Sequence, residues 1–146
     1  MQSARILSLE DLGRMSRELR ESGKRVVMCH GTFDLIHTGH IRHLQRARLE
    51  GDVLVVTLTS DAYVNKGPGR PVFGEQLRAE AIAAIVGVDF VAINHEAGAM
   101  KAIECIKPSV YVKGSDYRAA MNDVTGNIDR EREAVEAEGG EIFYTD

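Results

Sequence analysis

A run of apolar residues, Val26-Val27-Met28-Cys29, gives way almost at once to a glycine-bearing loop, Gly31-Thr32-Phe33-Asp34-Leu35-Ile36-His37-Thr38-Gly39-His40, which opens onto Ile41-Arg42-His43-Leu44-Gln45-Arg46-Ala47-Arg48. A strand thus breaks into a loop and opens a helix. At a helix start the first amides lack intrahelical partners and the macrodipole is positive, so this junction attracts an anion before any side chain is considered. His37 and His40 add ring nitrogens whose charge can respond to a phosphate neighbour, and Gly31 and Gly39 permit close approach of a phosphate to the backbone.

The rest of the chain continues the alternation. Residues 8–22 begin with Ser8 as N-cap and Asp11 three later, carry Leu9, Leu12, Met15 and Leu19 at helical spacing, and end at Gly23. Strands are expected at Val26–Cys29, Val53–Leu58, Phe90–Ile93, Val110–Val112 and Glu141–Tyr144. Helices are expected from Gly39 to Gly51, Glu75 to Val86, Ala97 to Ile106, and over residues 128–138. The polar, Gly- and Pro-rich segment Thr59–Phe73 is too long for a tight turn and reads as a functional loop. Alternating strands and helices predict an α/β fold, a Rossmann-like doubly wound parallel five-stranded sheet. In such a sheet ligands sit beyond the carboxyl ends of the strands where the winding reverses, and the loops after the first and fourth predicted strands would flank that point.

At 146 residues and 44% hydrophobic content, the chain fits a single domain over 1–146 with a full core. Its 18 Lys and Arg against 22 Asp and Glu, net charge −4, provide no basic field for a nucleic-acid backbone or an anionic membrane, so any anion site must be local. Cys29 and Cys105 each lie in an apolar stretch and read as buried reduced thiols, which suggests a cytoplasmic protein. Neither a basic-then-apolar leader at Met1 nor a bilayer-length apolar run is apparent, against secretion and membrane insertion.

The histidine loop pairs no serine or cysteine with a base, so its chemistry is charge stabilisation rather than covalent attack. Phosphoryl and nucleotidyl transfers proceed mainly by positioning and electrostatics, through amides, His, Lys and a magnesium ion. Lys113, arriving at the end of the fourth predicted strand, is the candidate cation; Arg70 and Arg78 are candidates to hold phosphates.

Gly31-Thr-Phe-Asp34 followed by His37-Thr-Gly39-His40 resembles the signature of the cytidylyltransferase-like nucleotidyltransferases. Ser60-Asp61, Gly69-Arg70-Pro71-Val72, Glu75-Gln76-Leu77-Arg78, Val88-Asp89-Phe90-Val91 and Lys113-Gly-Ser-Asp116-Tyr117 narrow the resemblance to the adenylyltransferase domain of ADP-heptose synthase. The similarity runs from about Val26 to Tyr144. It implies attack by a sugar or polyol phosphate oxygen on the α-phosphorus of ATP or CTP, with loss of pyrophosphate. His37 and His40 would grip the triphosphate, the Thr32 and Phe33 amides would contact phosphate, and Lys113 would neutralise charge. Asp34 would hold the loop or the acceptor's surroundings, and Asp61 and Asp116 would meet substrate or ribose hydroxyls. Mg2+ would ride on the nucleotide phosphates with few protein ligands. The resemblance also implies a homodimer.

Relatives of this kind continue past the last strand into a Ser/Thr-rich turn and helix, whereas this sequence stops at Thr145-Asp146; the expectation is a fragment of a longer protein. Adenylyl transfer to heptose 1-phosphate is the leading reading. Its rivals are cytidylyl transfer to glycerol 3-phosphate or a similar polyol phosphate, and a nucleotide-binding domain without chemistry. Outside the motif, His30 reads as a strand-end residue, His43 as a solvated helix residue, Lys66 as a solvated loop residue, and the helix from Ile128 as a solvated charged face.

Overall fold

The computed structural model describes residues 5–64, 67–114 and 127–145. In chain order the elements are β1 (Arg5–Leu7), α1 (Leu9–Glu21), β2 (Val26–Gly31), α2 (Thr38–Arg48), β3 (Val53–Thr59), a 3-10 turn (Asp61–Tyr63), α3 (Glu75–Ala83), β4 (Phe90–Asn94), α4 (Met100–Ile106), β5 (Val110–Lys113), α5 (Asn127–Ala137) and β6 (Glu141–Tyr144). All strand pairs are parallel, in the order β1-β4-β3-β2-β5-β6. The doubly wound parallel sheet expected from the sequence is present, with a sixth strand. Arg5–Leu7 adds to the edge beside β4, in register with Phe90–Ala92; three residues carry too little alternation to announce a strand, and β4's open edge creates one.

Period-two alternation explains how the sheet is covered. On one face Val27 and Cys29 of β2 with Leu54, Val56 and Leu58 of β3 pack against Leu44 and Ala47 of α2 and Ala79 and Ile82 of α3. On the other, Val26 and Met28 with Val55 and Tyr111 meet Leu9 and Leu12 of α1, Ala102, Ile103 and Ile106 of α4, and Val135 of α5. The α1 start follows its sequence signal, for the Ser8 hydroxyl accepts from the Asp11 amide at 3.1 Å. Several boundaries move inward: α3 ends at Ala83 rather than Val86, and α4 starts at Met100 rather than Ala97.

The chain winds one way through β2, β3 and β4, then returns to place β5 on the opposite side of β2. The winding therefore reverses between β2 and β5, whose registered pairs are Val27 with Val110 and Met28 with Tyr111. Gly31 and Lys113 end these two strands at the same edge of the sheet, so the histidine loop and the Lys113 segment flank the switch point. Among the described residues no helix is long and apolar enough to cross a membrane.

Leu44 joins α2 to this sheet and is fully buried. Leu44→Ala is expected to lower unfolding free energy by about 2–5 kcal/mol, the usual cost of such a cavity, as measured by urea denaturation.

Candidate functional site

The loop after β2 ends in an unusual helix cap. His37 is the N-cap of α2, in extended conformation (φ −134°, ψ 178°). The Gly39 amide donates to His37 Nδ1 at 3.0 Å, and the His37 amide donates to His40 Nδ1 at 3.2 Å. This is a capping box in which two imidazoles replace the usual hydroxyl and carboxylate. A backbone N–H can only donate, so both Nδ1 atoms are acceptors, and each neutral ring carries its proton on Nε2. The cap thus selects the tautomer in which both histidines present an Nε2–H donor at the amino end of α2.

The rings lie together, their centroids 4.0 Å apart, and Phe33 meets His40 edge-on at 5.6 Å. A Cβ at position 39 would stand 2.7 Å from Cε1 of His37, so the glycine leaves room for the histidine ring as well as for any phosphate. Phe33 itself adopts φ 52°, a conformation bulky residues rarely take, and its ring is buried against Gly31.

Two buried charges hold the neighbouring wall. Arg78 is 1% exposed; its guanidinium donates to the carbonyls of Phe73 (2.9 Å), Thr32 (2.8 Å) and Thr59 (2.7 Å) and to Asp61 Oδ1 (2.7 Å). Asp34, also buried, accepts from the Val72 amide at 2.7 Å and from Arg70 Nε. Burial alone would raise the Asp34 carboxyl, but the Val72 amide, the paired Arg70 guanidinium and the charge of Arg78 outweigh it and hold the group below its ordinary value.

The third wall comes from β5 and α5. Lys113 Nζ lies 2.6 Å from Glu131 Oε1, which also accepts from the Tyr111 hydroxyl at 2.9 Å. The Lys113 carbonyl accepts from the Thr145 amide at 2.9 Å, and Thr145 Oγ1 pairs with His43 Nδ1 at 2.8 Å. His30 Nδ1 pairs with Thr57 Oγ1 at 2.8 Å. Burial pushes the His30 imidazole down to about 4, with the Lys113 charge acting the same way. Burial, and then the His40 charge, also lower His43. The Cys29 thiol is pushed up to about 12 by burial, against the pull of Lys113, and is inert.

The sequence-derived residues therefore fall into groups. Gly31, Thr32, Phe33, His37, Gly39 and His40 share the loop after β2, and Lys113 stands at the adjoining strand end. Arg70, read as a phosphate holder, is the ion-pair partner of Asp34. Arg78 and Asp61, likewise read as ligand-facing, are bound to each other, with Arg78 underneath the loops. Asp116 and Lys66 lie outside the described residues. Two expectations change: His43 is half-buried and tied to Thr145, and the charged helix α5 turns Glu131 inward. Glu131 precedes buried Val135 by four residues, a helical inward stripe masked in sequence by the flanking charges. Among the described residues no group of three or more His, Cys, Asp or Glu could hold a metal. A cavity of about 370 Å³ opens elsewhere, at the ends of β1 and β4, lined by Leu7, Ser8, Asn94, His95 and Lys101.

A family model described as cytidylyltransferase-like matches residues 28–142. The chain is 43% identical over 141 residues to the bifunctional protein HldE of Geotalea uraniireducens and 40% identical to that of Geobacter sulfurreducens, covering 95% of this chain in each case. It spans 27% of the length of those relatives. Among solved structures, the lipopolysaccharide core biosynthesis protein of Thermoplasma volcanium superposes with TM-score 0.68 at 27% identity, over 85% of this chain and 98% of that one. Pantoate-beta-alanine ligase of Francisella tularensis also gives 0.68, at 15% identity over 98% of this chain and 67% of that one, and shares the fold.

Arg78→Met leaves three carbonyls and Asp61 without their donor; at about 1–3 kcal/mol for an orphaned buried acceptor, a loss of about 2–4 kcal/mol is expected in chemical denaturation. His30 generates a pH dependence. The folded imidazole protonates near 4 and an ordinary one near 6.5, so between these values the unfolded chain binds more protons and stability falls as pH falls. His30→Gln should remove about one proton from that slope when unfolding midpoints are measured across the window.

Proposed function

We propose, from the premise that the chain belongs to the cytidylyltransferase-like family of nucleotidyltransferases, that it transfers an adenylyl group from ATP to a heptose 1-phosphate. An acceptor phosphate oxygen forms a bond to the α-phosphorus, the bond from that phosphorus to the β-phosphate bridging oxygen breaks, and pyrophosphate leaves with its electron pair. The observation that carries the reading is the reciprocal His37–His40 cap, which supplies two preset Nε2–H donors at a positive helix end. Such donors stabilise charge as it develops on the triphosphate without reorganising.

Around them, the Thr32 and Phe33 amides hold phosphate and Lys113 balances its charge. Gly31 and Gly39 keep the loop close. Asp34 with Arg70, and Asp61 with Arg78, act as positioning pairs, since their charges already satisfy each other. Asp116 remains the candidate for a substrate or ribose hydroxyl. The donor set suits magnesium carried on the nucleotide: Asp34 and Asp61 are engaged by arginines, and phosphate oxygens are the ion's preferred ligands. When bound, the ion screens phosphate charge. The resemblance of its motifs to the adenylyltransferase domain of ADP-heptose synthase, together with relatives named bifunctional protein HldE, supports ATP and heptose phosphate as substrates. The resemblance implies a homodimer, and Val72, Phe73 and Leu77 leave apolar side chains half-exposed around the start of α3.

Pyrophosphate release measured with ATP or CTP, against heptose 1-phosphate or glycerol 3-phosphate, tests this. Turnover with ATP and heptose 1-phosphate is expected, and chelation of magnesium should abolish it. Turnover with CTP and glycerol 3-phosphate alone would replace the reading, and nucleotide binding without turnover on either pair would make the chain a binding module. His37→Ala and His40→Ala should each lower kcat by about 10²–10³-fold with the fold retained, the scale for removing one preset donor.

A further inference from the structure

We infer that Glu131 sets the position of the Lys113 ammonium for the reaction and is a positioning residue of the site. The inference rests on the nucleotidyl-transfer reading and extends it to a helix that no motif marks. On α5, Asp129, Arg130, Arg132 and Glu133 are exposed, whereas Glu131 is 8% exposed and shares the inward stripe with Val135. A buried carboxylate is costly unless paired, and a buried ion pair is often no more stabilising than apolar side chains of the same volume. Fold stability therefore gives little reason for this charge to be there.

Its contacts give one. Tyr111 and Lys113 are two residues apart on β5, so their side chains share a face of the sheet, and Glu131 Oε1 engages both, at 2.9 and 2.6 Å. The Tyr111 ring lies 5.0 Å from the same ammonium. Lys113 is thus held at its tip by both a carboxylate and an aromatic ring, while Thr145 holds its carbonyl. Strand β5 pairs with β2 up to Met28 and Tyr111, and the Lys113 charge acts on His30, one residue before the histidine loop begins. A flexible four-carbon side chain held this way reaches an incoming phosphate already ordered.

A double-mutant cycle tests the inference. Glu131→Gln, Lys113→Met and the pair are compared in pyrophosphate release and in Mg·ATP affinity by calorimetry, with melting temperature as the check on folding. Glu131→Gln is expected to lower kcat at least tenfold while the KM for ATP changes less than threefold, and to cause no further loss once Lys113 is Met. Tyr111→Phe, which removes only a hydroxyl from Glu131, should lower kcat about threefold through the same coupling. Equal losses from Glu131→Gln in both backgrounds would overturn the inference, because Glu131 would then act without Lys113. Should the unaltered chain release no pyrophosphate from any substrate pair, the functional reading falls separately; the cycle in Mg·ATP affinity then decides whether Glu131 acts through Lys113, additive changes overturning the inference and coupled ones sustaining it.

Discussion

The buried guanidinium of Arg78 is the interaction on which the site's shape depends. It reaches carbonyls at three places where the chain leaves regular structure: Thr32 just after β2, Thr59 at the end of β3 and Phe73 before α3. These carbonyls have left the strand ladder or not yet entered a helix, and a planar fork with five donors can satisfy several at once. Thr32 adjoins Phe33, whose ring meets His40; Phe73 adjoins Val72, whose amide binds Asp34. One side chain therefore sets the separation of the histidine loop from the segment that closes against it.

A second pattern follows from the topology. The strand interiors carry an apolar core, while buried Asp34, Arg78, Lys113 and Glu131 come from strand ends, the connecting loops and the helices that follow. Each is engaged by an opposite charge or a backbone group, as burial of an ion requires. Lys113 and Glu131 border the switch point, where β2 and β5 diverge and leave their following loops apart. The sheet supplies a rigid platform, and the charge pairs give that edge a fixed electrostatic form.

The fold was legible because its signals are local. Strand-like runs of three to six residues separated by helical patterns pointed to parallel strands, and the two cores observed follow the alternation of Val26 and Met28 against Val27 and Cys29. The histidine loop was legible for the same reason: its cap is made within residues 37–40. Strand β1 was not legible, since its three residues become a strand by pairing with β4, far along the chain. The partners of the arginines were not legible. A cation in a loop looks like an anion ligand until the carbonyls and carboxylates that fold around it are known, and those of Arg78 come from as far back as Thr32.

The sequence by itself determined the alternation of elements, the parallel sheet and the place of the two histidines at a helix start, because each rests on spacing within a few residues. Tertiary structure decided which charged groups are paired with one another. Asp34 with Arg70, Arg78 with Thr32 and Thr59, His43 with Thr145, and Lys113 with Glu131 are pairings between segments far apart in sequence. The energy of a buried charge depends on its whole surroundings rather than on its neighbours in the chain.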